Sequence, residues 1–131
     1  MSLEYRSDRA SGLTVTVAEG RITVDDVRRY IEDIVADPTT NDCDELVVLR
    51  DVDLKEFSGH DVRNLAQHAS KISPEQAFRT AIVAPCDADF GLLRMFEVFR
   101  NRPEGKLVVF RDLGSAQAWL GLEKLPDWLD E

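Results

Sequence analysis

The residues in this chain best suited to chemistry are four aspartates in two pairs. Asp51 and Asp53 follow the apolar run Leu46-Val-Val-Leu49, and Asp87 and Asp89 follow the run Ala81-Ile-Val-Ala84. If the two runs are neighbouring parallel strands, four carboxylates gather at one sheet edge, an oxygen-rich arrangement of the kind Mg²⁺ accepts. The chemistry would be Mg-dependent phosphoryl transfer or a receiver-like site. It would also need a positioned cation and a nucleophile. The simpler role of short acids leaving a strand is to cap the next helix and complement its dipole. Arg50, Lys55, Arg94 and Arg111 are also close enough in sequence to neutralise them in pairs.

Ser58 is the next candidate. Ser58-Gly-His-Asp61 is a capping box, in which the hydroxyl accepts from the Asp61 N–H and the Asp61 carboxylate reaches back. A phosphate on Ser58 would gain from the helix dipole but would sit beside Glu56 and Asp61, which repel it. His60 and His68 lie eight apart on the same predicted helix, which is not the i, i+4 spacing of a metal pair. The chain contains no GxGxxG, GxxxxGK[ST], HExxH or GxSxG. No catalytic residue and no cofactor is expected, and the chain reads as non-enzymatic.

A different kind of signal lies in residues 90–99. Phe90, Leu92, Leu93, Met95, Phe96, Val98 and Phe99 cover most of a helix circumference, where an ordinary surface helix shows one stripe. Such a helix is sunk in the core, which is the commoner case, or holds a second face against a subunit, a partner or an apolar ligand. A ligand pocket beside it, lined by Phe and Met, would be expected to exceed about 300 Å³.

These residues must be positioned by a regular alternation of elements. Residues 3–6 and 13–17 alternate as short strands around the turn-rich segment Ser7–Gly12. Leu13, Val15 and Val17 point one way and Thr14 and Thr16 the other, as in a half-buried strand. Thr23-Val-Asp-Asp26 caps a helix whose apolar stripe runs through Val27, Tyr30, Ile31, Ile34 and Val35 and ends at Asp37-Pro38. Strand 46–49 leads to a helix from Ser58 with the stripe Val62, Leu65, Ala66, Ala69 and Ile72. Strand 81–84 leads to a helix at about 88–101, and strand 107–110 to a helix at 113–121. The tail Leu125–Leu129 is expected to fold back onto the body. Three uninterrupted apolar runs between helices argue for parallel strands covered on both faces. The order ββαβαβαβα predicts one α/β domain over 1–131: a mixed five-stranded sheet with a parallel core, an N-terminal hairpin and about four flanking helices.

Composition narrows the partners. Sixteen Lys and Arg against 25 Asp and Glu give a net charge of −9, with no basic run to attract a phosphate backbone. Nucleic acid is not an expected partner. No window approaches the roughly 20 apolar residues of a membrane span. Met1-Ser-Leu-Glu-Tyr5 lacks the apolar core of a signal peptide. Cys43 and Cys86 form no CxxC pair and read as two thiols in a cytoplasmic protein.

The segments Ala81-Ile-Val-Ala-Pro85, Phe90-Gly-Leu-Leu-Arg-Met-Phe96, Val109-Phe-Arg-Asp112 and Ala118-Trp-Leu120 resemble the SpoIIAA-like family, a mostly bacterial group of STAS type. The resemblance implies a mixed sheet flanked by helices, with regulation through protein contacts rather than enzymatic activity. A wider relationship extends to lipid-binding CRAL-TRIO domains. STAS regulators are phosphorylated within an Asp-Ser-x-Gly turn. Here the turn reads Glu56-Phe57-Ser58-Gly59, so phenylalanine stands at the phosphorylated position and Ser58 one place along. Two roles follow as expectations. One is a domain that binds a protein partner or itself, as a homodimer, through the Phe57-Ser58-Gly59 turn and through Phe90, Met95, Phe96 and Phe99. The other is a carrier or sensor of a small apolar, lipid-like ligand beside the same helix.

Overall fold

In the computed structural model, residues 2–8, 10–72, 78–100 and 106–130 are described. Strand β1 (Ser2–Asp8) pairs antiparallel with β2 (Leu13–Arg21). From β2 the sheet continues in parallel through β3 (Asp44–Asp53), β4 (Thr80–Val83) and β5 (Leu107–Phe110), so spatial order equals chain order. Helices α1 (Val24–Ala36), α2 (Gly59–Ile72) and α3 (Asp87–Arg100) fill the three crossovers, and α4 (Leu113–Leu120) follows β5. This is the mixed five-stranded α/β layout that the sequence predicts.

Topology decides where the helices lie. Parallel crossovers are almost always right-handed. Three crossovers that each step one strand in the same direction therefore put α1, α2 and α3 on one face. Helix α4 has no further strand to reach and turns back over the other. Two cores result. Beneath α4 lie Leu13, Val15, Leu46, Val48, Ala81 and Val83, closed by Ala116, Leu120 and Leu129. Beneath the three-helix layer lie Ala18, Val47, Leu49, Ile82 and Val109, with Val27, Phe90, Leu93 and Phe96 packed against them. The tail folds back as expected: Leu129 is fully buried and Trp128 packs on the α4 core.

Local chemistry sets the ends of the helices. The Thr23 hydroxyl accepts from Asp26 N–H at 3.0 Å, and the Asp26 carboxylate accepts from Thr23 N–H at 2.9 Å. Helix α1 stops at Asp37, whose extended ψ of 113° is the geometry a following proline demands. Gly121 ends α4 with φ +71°, a left-handed cap that needs no Cβ.

Two expectations are corrected. Strands drawn at 3–6, 13–17 and 46–49 run further, to 2–8, 13–21 and 44–53. Nor is β2 half-buried with an open threonine face. Thr14 and Thr16 are both buried, because β1 and α1 cover that side, and their hydroxyls are satisfied by Ser7 at 2.9 Å and Tyr30 at 2.5 Å. Alternation of apolar and polar residues gives the period of a strand but not whether its polar side meets water.

Candidate functional site

The acidic residues do not assemble. Strands β3 and β4 are neighbours, as the four-carboxylate arrangement required, yet the aspartates diverge. Asp51 is the extra residue of a bulge: β2 pairs Glu19 with Arg50 and then Gly20 with Val52, which leaves Asp51 unpaired at φ +46°. Asp87 turns towards β5, where Arg111 donates to its carboxylate at 2.5 Å. Asp53 accepts the Lys55 N–H at 3.0 Å. Burial, and then the charge of nearby Asp53, raises the Asp89 pKa. Among the described residues no group of three or more His, Cys, Asp or Glu is placed to hold a metal. Arg94 pairs within its own helix with Glu97 at 2.9 Å. His60 contacts Asn64, and His68 bridges to Glu32 on α1 at 3.0 Å.

The turn before α2 has the geometry its sequence predicts. Asp61 N–H donates to the Ser58 hydroxyl at 3.1 Å, and Ser58 N–H to the Asp61 carboxylate at 3.0 Å. That second bond and the serine hydroxyl hold the Asp61 pKa below its ordinary value. Gly59 lets α3 approach: a Cβ there would lie 2.9 Å from the Met95 methyl. Met95 itself is 37% exposed. Phe99 is half-buried, with the Arg63 guanidinium 5.1 Å from its ring, and Phe90 lies similarly beneath Arg111 at 5.0 Å.

Phe57 and Phe96 lead elsewhere. They line a partly open cavity of about 170 Å³ between the sheet and the three-helix layer. Its walls are Val27, Ile31 and Ile34 from α1, Leu65 and Ala69 from α2, Leu93 and Phe96 from α3, and Val47, Leu49 and Ile82 from the sheet. Amphipathic helices on a twisted sheet put their apolar stripes here, and three of them leave a gap where their side chains meet. The cavity is smaller than the 300 Å³ expected of a pocket beside α3, and Met95 lies outside its walls.

One end of the cavity is polar. Glu45 and Thr80 sit opposite each other near the amino ends of β3 and β4, and both line the cavity with Tyr30 and Arg100. The Tyr30 hydroxyl donates to Glu45 Oε2 at 2.5 Å and the Thr80 hydroxyl to Oε1 at 3.2 Å. Tyr30 has one proton and gives it to Glu45, so Thr16 must be the donor in the Thr16–Tyr30 bond. Burial of the phenol, and then the adjacent carboxylate, raises the Tyr30 pKa well above its usual value. Arg100, only 7% exposed, donates from Nη1 to the Ser70 hydroxyl at 2.9 Å, so α2 and α3 are tied together beside the cavity. The cavity thus offers an apolar body and a hydrogen-bonded end carrying a carboxylate and a guanidinium.

None of these polar residues stands out as a candidate in the sequence. Tyr30 counts as part of an apolar stripe, Glu45 precedes a strand, and Arg100 ends a helix. The one available signal is the pair Thr14 and Thr16, polar side chains in a strand that needs burial. No helix among the described residues is long and apolar enough to cross a membrane. No family model, curated protein or solved structure matches the chain.

Proposed function

We propose that the protein is a binding domain, rather than a catalyst, that holds a small and mainly apolar molecule between its sheet and its three-helix layer. The observation that carries this is the cavity of about 170 Å³, apolar in its body and polar at one end. Close packing leaves few voids larger than a water molecule in a domain of this size. An apolar cavity of about 150 Å³ stays dry and takes up benzene. A single ring or a short chain suits this volume, and a full lipid chain does not.

The test is thermal unfolding in buffer saturated with benzene. A ligand bound only by the folded state raises Tm by mass action. The wild-type Tm should rise, and Ala69→Leu, whose side chain fills the cavity, should remove the rise. An unchanged wild-type Tm would count against a receptive cavity.

A second reading is favoured by one observation. Met95 and Val98, 37% and 67% exposed, are large apolar side chains open to solvent on the outer side of α3, and Met95 touches the position of Gly59. This supports the role implied by the STAS-type resemblance, regulation through a protein contact at the Ser58–Gly59 turn and α3. Val98→Asp should abolish such a contact while leaving the fold unchanged.

A further inference from the structure

The two edges of the sheet are finished differently. Strand β5 is four residues long. Its Val109 N–H donates to Glu97 Oε1 at 2.8 Å, and that carboxylate is held by Arg94, so this edge is occupied by the chain's own side chain. Strand β1 is seven residues long. Among the described residues, Leu3 to Ser7 make no backbone hydrogen bond on the side away from β2. An edge of this length with open N–H and C=O groups is a template for another strand.

From this edge we infer that two copies of the chain pair through β1, antiparallel about a two-fold axis at Tyr5, joining their sheets into one. The charges on the edge select the occupant. Leu3, Tyr5 and Ser7 face the α1 side and are half-buried, while Glu4 and Arg6 are exposed on the other face. An edge of a single charge sign would repel a second copy. Here the sign alternates, and a two-fold at Tyr5 sets Glu4 opposite Arg6 of the second copy and Arg6 opposite its Glu4. Opposite charges directly across an antiparallel pair stabilise it, and like charges destabilise it.

Register is selected as well. Centring the axis on Glu4 or on Arg6 would place like charges face to face. Centring it on Ser7 would pair Arg6 with Asp8 but leave most of the strand without a partner. Only the Tyr5 register pairs the full length of Ser2–Asp8. The Arg6 guanidinium lies 4.5 Å from the centre of the Trp128 ring, which holds it on the α4 side of the strand, the face it shares with Glu4. The resulting interface is isologous, as two-fold dimers require.

Sedimentation velocity across the micromolar range tests the pairing. The wild-type chain should sediment as a dimer. Glu4→Arg and Arg6→Glu should each weaken the dimer about tenfold, since each turns two attractions into repulsions. The combined Glu4→Arg, Arg6→Glu chain should regain the dimer. A wild-type monomer throughout, a dimer indifferent to either single reversal, or a double variant that stays dissociated would each overturn the inference. Hydrogen exchange of the Leu3–Ser7 amides provides a check without substitution. Protection should grow with protein concentration, and exchange independent of concentration would also overturn it.

Discussion

On the α4 face of the sheet, Leu46, Ala81, Ala116 and Leu129 have no exposed surface at all, whereas the face beneath α1, α2 and α3 leaves about 170 Å³ unfilled. The α4 face carries one short helix and a tail, and both are pinned. Arg79 donates to the carbonyls of Trp119 and Leu120 at the end of α4 while its other contacts hold Asp44. Phe110 and Trp119 meet over the same core with ring centroids 5.6 Å apart and planes tilted by 51°. The three-helix face must seat longer helices whose spacing is also set by their contacts with one another, and it holds a partly buried tyrosine–glutamate–threonine network among its apolar side chains. Where one element conforms to a sheet, packing closes. Where three compete for it, space and buried polar groups remain, and these are the requirements of a binding site.

Matched truncations on the two faces should show the largest difference. Leu46→Ala removes a fully buried side chain from the closed face and should cost about 3–5 kcal/mol in chemical denaturation. Leu65→Ala, in the cavity wall, should cost about 2–3 kcal/mol, since that leucine already lacks neighbours on one side. Equal costs would mean that the two faces are packed alike. Tyr30→Phe comes next. It removes the phenol's hydrogen bond to the half-buried Glu45 carboxylate and should cost about 1–3 kcal/mol, the usual worth of a hydrogen bond to a charged group. A cost near zero would show that the polar end is wet rather than enclosed. Ser58→Ala, outside both faces, should cost about 1 kcal/mol as a lost helix cap and should leave benzene binding unchanged.

The smallest effect is alkaline. Donation from the Tyr5 hydroxyl to Asp37 at 2.7 Å, with partial burial, raises the Tyr5 pKa from 10.0 to about 12. The fold therefore favours the protonated phenol. Its contribution is complete below about pH 10 and is lost as pH rises through about 12. Wild type and Tyr5→Phe, compared by denaturation across that window, should converge as pH rises. A constant difference would mean that the bond to Asp37 contributes nothing.

Much of the fold was legible in the residues. The apolar runs at 46–49, 81–84 and 107–110 mark the parallel strands, and the capping boxes at Thr23 and Ser58 mark two helix starts. Periodicity reports which side of an element is apolar, but Phe57 stands in a turn and residues 90–99 are apolar almost all round, so it could not place Phe57 and Phe96 against the cavity rather than on a partner surface. It says nothing of how completely opposing stripes fill the space between them, so the cavity was not visible. Strand order was equally hidden, because each apolar run fits any position in a parallel sheet. The carboxyl edge of a parallel sheet is where ligand chemistry is normally found, and Asp51, Asp53, Asp87 and Asp89 lie at that edge. The buried and half-buried polar groups instead lie near the amino ends of β3 and β4. They come from four separate segments, at Thr16, Tyr30, Glu45 and Thr80, which meet only once the sheet has formed.

The most direct test is a crystal structure of the protein equilibrated with bromobenzene, whose bromine locates itself by anomalous scattering. One site is predicted, between Ile82, Leu65 and Phe96 beneath the three helices, with none on the α4 face. An empty or collapsed space at that position would contradict the claim that this face of the sheet is built to receive a ligand.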